Sequence, residues 1–254
     1  ILKSFKIKEL EEFMNVNQIV RIIPTLKVNN RKLNETFYIE TLGMKALLEE
    51  SAFLSLGDQT GLEKLILEEA PSMRTRKVEG RKKLARLIVK VENPLEIEEL
   101  LSKTNSIHRL YKGQNGYAFE IFSPEGDLIL IHAEDDRDSL VEVEEKPAFQ
   151  SDLESIFLSK FEISMELHLP TDVDTFLELS EIGESLDFIP AQGQDLTVDN
   201  TATWDLSMLK FLVSELDIAS LRQKFESTEY FIPKSEKFFL GKDRNNVELW
   251  FEEV

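Results

Sequence analysis

The sequence predicts an α+β protein built from four tandem βαβββ units grouped into two domains. Three observations predict it. A strand pattern runs directly into a helix pattern four times; short alternating segments broken by turn residues follow the helices; and a carboxylate-rich stretch divides the chain near its middle.

The four strand-to-helix passages are QIVRIIPTLKV into NNRKLNETFYIETLG, LARLIVKV into ENPLEIEELLSK, FEISMELHLP into TDVDTFLELSEIG, and WDLSMLKFLV into SELDIASLRQKF. Each helix opens on a start signal. In the second, Asn93 is placed to accept from an early backbone N–H, Pro94 supplies the preset φ of a first helical position, and Glu96 stands where a capping box needs a carboxylate. Thr171 with Asp174 and Ser214 with Asp217 repeat the arrangement. The buried stripes follow from helical spacing: Ile97, Leu100 and Leu101; Val173, Phe176 and Leu177; Ile218, Leu221 and Phe225. Gly43 and Gly183 are positioned to end their helices in the left-handed conformation.

After the helices, HRLYKGQNGYAFEIFSPEGDLILIHAE and EYFIPKSEKFFLGKDRNNVELWFEE read as strands separated by turns at 123–127 and 242–246. The third unit departs from the pattern, since ESLDFIPAQGQDLTVDNT has room for only one or two strands. The expected organisation is an N-terminal extension at 1–13, one domain at 14–136, an acidic linker at 137–158, and a second domain at 159–254. The basic stretch RTRKVEGRKK between the first two units reads as a solvated loop, with docking onto the protein's own acidic face as the alternative.

Composition removes several functional classes. The formal charge of −18 repels phosphate backbones and argues against a nucleic-acid partner. No apolar run reaches the roughly 18–20 residues of a membrane-spanning helix. The chain has no cysteine, which excludes disulfides, thiolate metal sites and cysteine nucleophiles. Residues 1–13 lack the pattern of a secretory signal, so cytoplasmic residence is expected from the residues alone.

The passage NQIVRIIPTLKVNNRKLNETFYIETLGM resembles the first strand and helix of the vicinal oxygen chelate superfamily, which includes glyoxalases and extradiol dioxygenases; SPEGDLILI and KDRNNVELW resemble its closing turn and last strand. The resemblance implies two glyoxalase-like domains whose curled sheets form open cups, where strand histidines and carboxylates commonly hold a divalent metal. Pairing of two copies is also a familiar way to complete such cups, which admits a homodimer. Over Asn17–Val254 the chain is similar to the streptococcal CppA family, labelled a complement C3-degrading proteinase. That similarity implies complement C3 as a partner and exposure at the cell exterior. It supplies no catalytic residue.

Laid on the superfamily pattern, the ligating positions hold Ile23, Arg86 and Leu130 in the N-terminal half, none of which ligates a cation. Glu248 does occupy a carboxylate position, with Ser164 and Met208 as its expected neighbours, a poor set for a hard metal. In FEISMELHLP the alternation puts Glu162, Ser164, Glu166 and His168 on one strand face. The candidate cup is therefore Ser164, Glu166, His168, Glu248 and Trp250, expected to converge in the C-terminal domain as the floor for a small molecule or peptide, with no cofactor. His132 and His108 read as structural or exposed. The peptidase motifs His-Glu-x-x-His, Gly-x-Ser-x-Gly and Asp-Thr/Ser-Gly are all absent. Ser164 and His168 lie roughly 13 Å apart along a strand, too far for a nucleophile and its base. Three functions stay open: C3 degradation, from the resemblance; metal-free binding, from the residues; and, third, a metal-dependent lyase or dioxygenase.

Overall fold

A computed structural model describes residues 19–104, 106–149, 155, 157–173 and 185–254. Among these residues, fifteen strands are arranged in two sheets. The first unit supplies β1 (Ile19–Val28), α1 (Arg31–Thr36, continued by a wider turn over Phe37–Thr41), β2 (Lys45–Glu50), β3 (Phe53–Gly57) and β4 (Glu63–Glu69). The second supplies β5 (Leu84–Val91), α2 (Pro94–Lys103), β6 (Arg109–Lys112), β7 (Tyr117–Phe122) and β8 (Leu128–His132), and a short β9 (Val141–Val143) follows. The third supplies β10 (Phe161–Pro170) and β11 (Leu186–Ala191). The fourth supplies β12 (Leu206–Val213), α3 (Ile218–Lys224), β13 (Tyr230–Phe231), β14 (Phe238–Lys242) and β15 (Glu248–Glu253). The α+β class and the tandem βαβββ plan are therefore present, with the third unit shortened to two described strands.

The helix starts are local chemistry. Asn30 accepts from the Leu33 N–H at 2.9 Å, and Asn93 accepts from the Leu95 N–H at 3.2 Å, with Pro94 in the first turn. Glu96 does not close a capping box; its Oε1 accepts from the Ser159 N–H at 3.1 Å and ties α2 to the approach of β10. In the fourth unit the cap is Asp217, accepting from the Ser220 N–H, rather than Ser214, because the helix begins only at Ile218. Gly43 has a φ of +69°, the left-handed closure that its position demanded. Ile97, Leu100, Leu101, Leu221 and Phe225 are all buried. Asp174, Phe176, Leu177 and Gly183 lie outside the described residues.

Sheet order overturns the expectation that each cup is built within one half of the chain. The first sheet runs β13-β14-β15-β12-β1-β4-β3-β2 and the second β11-β10-β5-β8-β7-β6-β9. Central antiparallel pairs β1–β12 and β5–β10 join the first unit to the fourth and the second to the third. The four leading strands share one apolar pattern, so periodicity cannot choose among partners; buried carboxylates then tie one sheet to the other. Asp205 is 3% exposed and accepts from the N–H groups of Lys83 at 2.6 Å and Leu84 at 3.3 Å, fixing the start of β5 against that of β12. Asp58, fully buried, accepts from Phe161 N–H at 3.2 Å and does the same for β10. One apolar core then spans both sheets, with Leu26, Phe211 and Phe251 from the first meeting Leu87, Ile131 and Met165 from the second in a single cluster.

Two further expectations change. The stretch 74–83 is not simply solvated. Arg76 makes two bonds of 2.7 and 2.8 Å to Asp195, which also accepts from the Glu79 N–H, and Lys83 is 1% exposed. The loop crosses between sheets, so its cations meet carboxylates on the way. In the acidic stretch, Val141–Val143 pairs with β6 at the edge of the second sheet, because alternating valines can add to an open edge even in a charged setting.

His132 is 2% exposed, and its Nδ1 accepts from the Glu134 N–H at 3.1 Å. Burial first, and then the charges of Arg137, Lys90 and Arg86, pull its pKa down to about 4. The unfolded imidazole protonates near its ordinary ~6.5. Between these values the unfolded chain binds more protons, so this contribution is full above ~6.5 and is lost as pH falls toward ~4. Chemical denaturation should show a loss of about 2–3 kcal/mol from His132 between pH 7 and ~4.5. That part of the slope should vanish in His132→Gln; equal slopes in the two proteins would contradict the assignment.

Candidate functional site

On the second sheet lies a cavity of about 490 Å³ lined by Arg86, Tyr111, Leu130, Arg137, Asp138, Leu140 and Glu166. Its floor is apolar: Ile88, Ala118 and Leu130 form a small buried cluster with Tyr111 and Leu140 packed against it. Polar groups stand on that floor where single charged residues interrupt apolar strands. Arg86 interrupts LARLIVKV on β5, Glu120 interrupts YAFEIF on β7, and Glu166 comes from β10, directly across from Arg86 in the ladder.

These residues form one ion-paired network. Arg86 grips Glu166 with two bonds, Nε to Oε2 at 3.0 Å and Nη2 to Oε1 at 2.5 Å, and reaches Glu120 Oε1 through Nη1 at 2.9 Å. Tyr111 donates its hydroxyl to the other Glu120 oxygen at 3.0 Å. From the acidic stretch, Arg137 meets Glu166 at 3.4 Å and Asp187 at 2.8 Å. The Glu120 side chain is only 3% exposed, so its charge depends on these partners. Burial works against the Arg86 cation, but the bonds and charges of Glu166 and Glu120 outweigh it and raise its pKa. Burial likewise raises the Tyr111 phenol, keeping it a donor.

The arrangement does not fit a divalent metal. The Arg86 guanidinium on the cavity wall has no lone pair to offer, and Leu130 has no donor atom. Among the described residues, no three His, Asp or Glu side chains gather closely enough to hold an ion.

The five residues expected to converge are divided between the sheets. Ser164, Glu166 and His168 share one face of β10 as the alternation required, whereas Glu248 and Trp250 lie on β15 of the first sheet. The cause is the pairing of the fourth unit with the first. Ser164 sits across from Ile88. His168 donates from Nδ1 to the Lys82 carbonyl at 2.8 Å, leaving Nε2 to accept from Arg81 at 3.4 Å. Glu248 lies beside Met208, the neighbour expected for it, but not beside Ser164. Trp250 is stacked on Phe238 at 3.9 Å and donates to Glu252, so one ring face is already covered.

Sequence reasoning missed Glu120, Tyr111 and Arg137. The first had a legible signal, a lone carboxylate in an apolar strand that demands a buried partner. Arg137 had none, because it enters from a charged segment of no clear periodicity. Two larger hollows exist. One, about 590 Å³, lies beside Phe37 and His108 on the helix side of the second sheet; the other, about 660 Å³, lies beside Phe188 and Arg244. Neither gathers a comparable set of converging ionic groups.

A family model described as CppA N-terminal matches residues 21–143, and one described as CppA C-terminal matches residues 158–251. The chain is similar to the solved cppA protein of Streptococcus pneumoniae TIGR4, at 91% identity over 94% of this chain and 100% of that one, with a TM-score of 0.91. It is similar in fold to glyoxalase I from Zea mays, at 10% identity over 92% of each chain with a TM-score of 0.54. The V278E mutant of that enzyme gives 8% identity over 97% and 96%, with a TM-score of 0.55. No curated protein matches the chain. With its two halves matched in order and a relative this close, the chain belongs to the CppA family, on a glyoxalase-type fold.

Proposed function

We propose that the chain is a binding protein whose second-sheet cup holds a small molecule or the end of a peptide, oriented by guanidinium groups instead of a metal. The observation that carries this reading is the cavity of about 490 Å³ with Arg86 and Arg137 on its wall. Its size falls within the range of small-molecule sites, and an apolar floor with a few fixed polar groups is the usual composition of one. Each guanidinium has five N–H donors. Arg86 spends three and Arg137 two in bonds among the described residues. The surplus donors suit a ligand rich in oxygen acceptors, carboxylates first. Leu130 and Leu140 suit a short apolar body next to that group.

Calorimetric titration with a panel of mono- and dicarboxylates and short peptides tests this reading. At least one should bind, resist removal of metal by EDTA, and weaken about 10- to 100-fold in Arg137→Ala. Binding that EDTA abolishes, or that Arg137→Ala leaves unchanged, would overturn it.

A second reading, degradation of complement C3 at the cell exterior, is favoured by membership of the CppA family and by the label that family carries. The site chemistry lends it little support, since His132 and His168 spend their bonds on backbone groups and Arg81. Purified C3 incubated with the chain should remain intact, as it should with the Glu248→Ala/His168→Ala double variant. Fragmentation by the parent and not the variant would establish proteolysis and refute a role confined to binding.

A further inference from the structure

On the first sheet, Leu249 and Phe251 of β15 are buried in the core, so alternation puts Glu248, Trp250 and Glu252 on the opposite face. Leu240 pairs with Trp250, and Phe231 with Leu240, which carries that face out to the sheet edge. Three rings line it there. Phe238 is stacked on Trp250 with centroids 3.9 Å apart, and Phe231 lies 6.0 Å from Phe238. Phe231 is 55% exposed, while Glu248 and Trp250 are half-buried. Apolar surface gathered in one place and rimmed by charge marks an interaction site.

The charges beside this row do not balance. Lys210, next to Trp250 in the ladder, is shared by Glu252 at 3.2 Å and Glu63 at 3.7 Å. Lys242, next to Glu248, is held by Asp199 at 2.7 Å. Glu248 itself has no hydrogen-bond or ion-pair partner among the described residues. Arg21 shares the face but stands opposite Leu212, in the row of Glu252, roughly 13 Å along the strands from Glu248. A free carboxylate therefore stands two residues, roughly 7 Å, from an indole. Among the described residues no cation is seated over that ring.

We infer that this face of the first sheet binds a basic segment of a partner peptide, with a guanidinium or ammonium head held between Glu248 and the Trp250 indole. The face of an aromatic ring attracts positive charge, and indole does so most strongly. Glu248 supplies the opposite charge at close range, and the net charge of −18 draws a basic segment in from a distance. An acidic head would be repelled by Glu248, and a neutral one would leave it unpaired. The occupant is a peptide because Phe231 and Phe238 extend the apolar surface beyond one side chain, so residues flanking the basic one also find rings to rest on. This surface lies on the other sheet from the Arg86 cup, and the inference does not depend on what that cup holds.

The test is calorimetric titration of the full chain with the blocked peptide Ala-Phe-Arg-Phe-Ala and with its citrulline counterpart, in which a neutral urea of the same shape replaces the guanidinium. The arginine peptide should bind about 5-fold more tightly or better. Glu248→Gln should remove most of that preference, and Phe231→Ala should weaken both peptides about 3-fold or more. Arg137→Ala, on the second sheet, should leave both affinities unchanged. The inference is overturned if the peptides bind alike or not at all. It is overturned too if the preference survives Glu248→Gln, since the overall acidity of the chain then accounts for it, or if Phe231→Ala changes neither affinity. Binding that Arg137→Ala weakens as much as Glu248→Gln does would place the peptide in the second-sheet cup, supporting the proposed function and refuting this surface.

Discussion

A carboxylate placed among apolar strands needs a positive charge at bonding distance, and the second sheet meets that need with Arg86. Glu120 is nearly inaccessible to water, and the guanidinium joins it to Glu166 across the four strands β10-β5-β8-β7. Removing one partner from such an arrangement is far more damaging than the net worth of the pair suggests, because the other charge stays buried. The position of this network decides what the cup can do. It sets a fixed cation on the wall of the cavity.

Fold and site are linked through the way the units pair. Because the second unit joins the third, Arg86 on β5 faces Glu166 on β10; had each half of the chain closed on itself, those two residues would belong to different cups. Asp205 and Asp58 spend their acceptors on backbone N–H groups at the starts of β5 and β10 and so tie the first sheet to the second. A bond of this kind, charged and screened from solvent, is worth more than a neutral one.

The repeats, helix caps and fold type were legible because they depend on neighbours in sequence. Asn93, Pro94, Gly43 and the Ile97/Leu100/Leu101 stripe read correctly for that reason. The unfitness of Ile23, Arg86 and Leu130 as ligands was legible too, since it follows from side-chain chemistry alone. What could not be read was which leading strand lies beside which. That choice is a matter of long-range pairing, β1 with β12 and β5 with β10, and it separated Glu166 and His168 from Glu248 and Trp250. Arg137 was hidden for a related reason: a short turn and a three-residue strand in an acidic segment carry it to the cup.

The cup depends on the Arg86 guanidinium as the positive charge shared by Glu120 and Glu166. Anomalous diffraction from wild-type crystals soaked in Mn²⁺ or Zn²⁺ tests it most directly. The account predicts no anomalous peak between the two carboxylates, with Arg86 still bonded to both. A peak within about 2.0–2.6 Å of oxygens from Glu120 and Glu166 together, with the arginine swung aside, would contradict it.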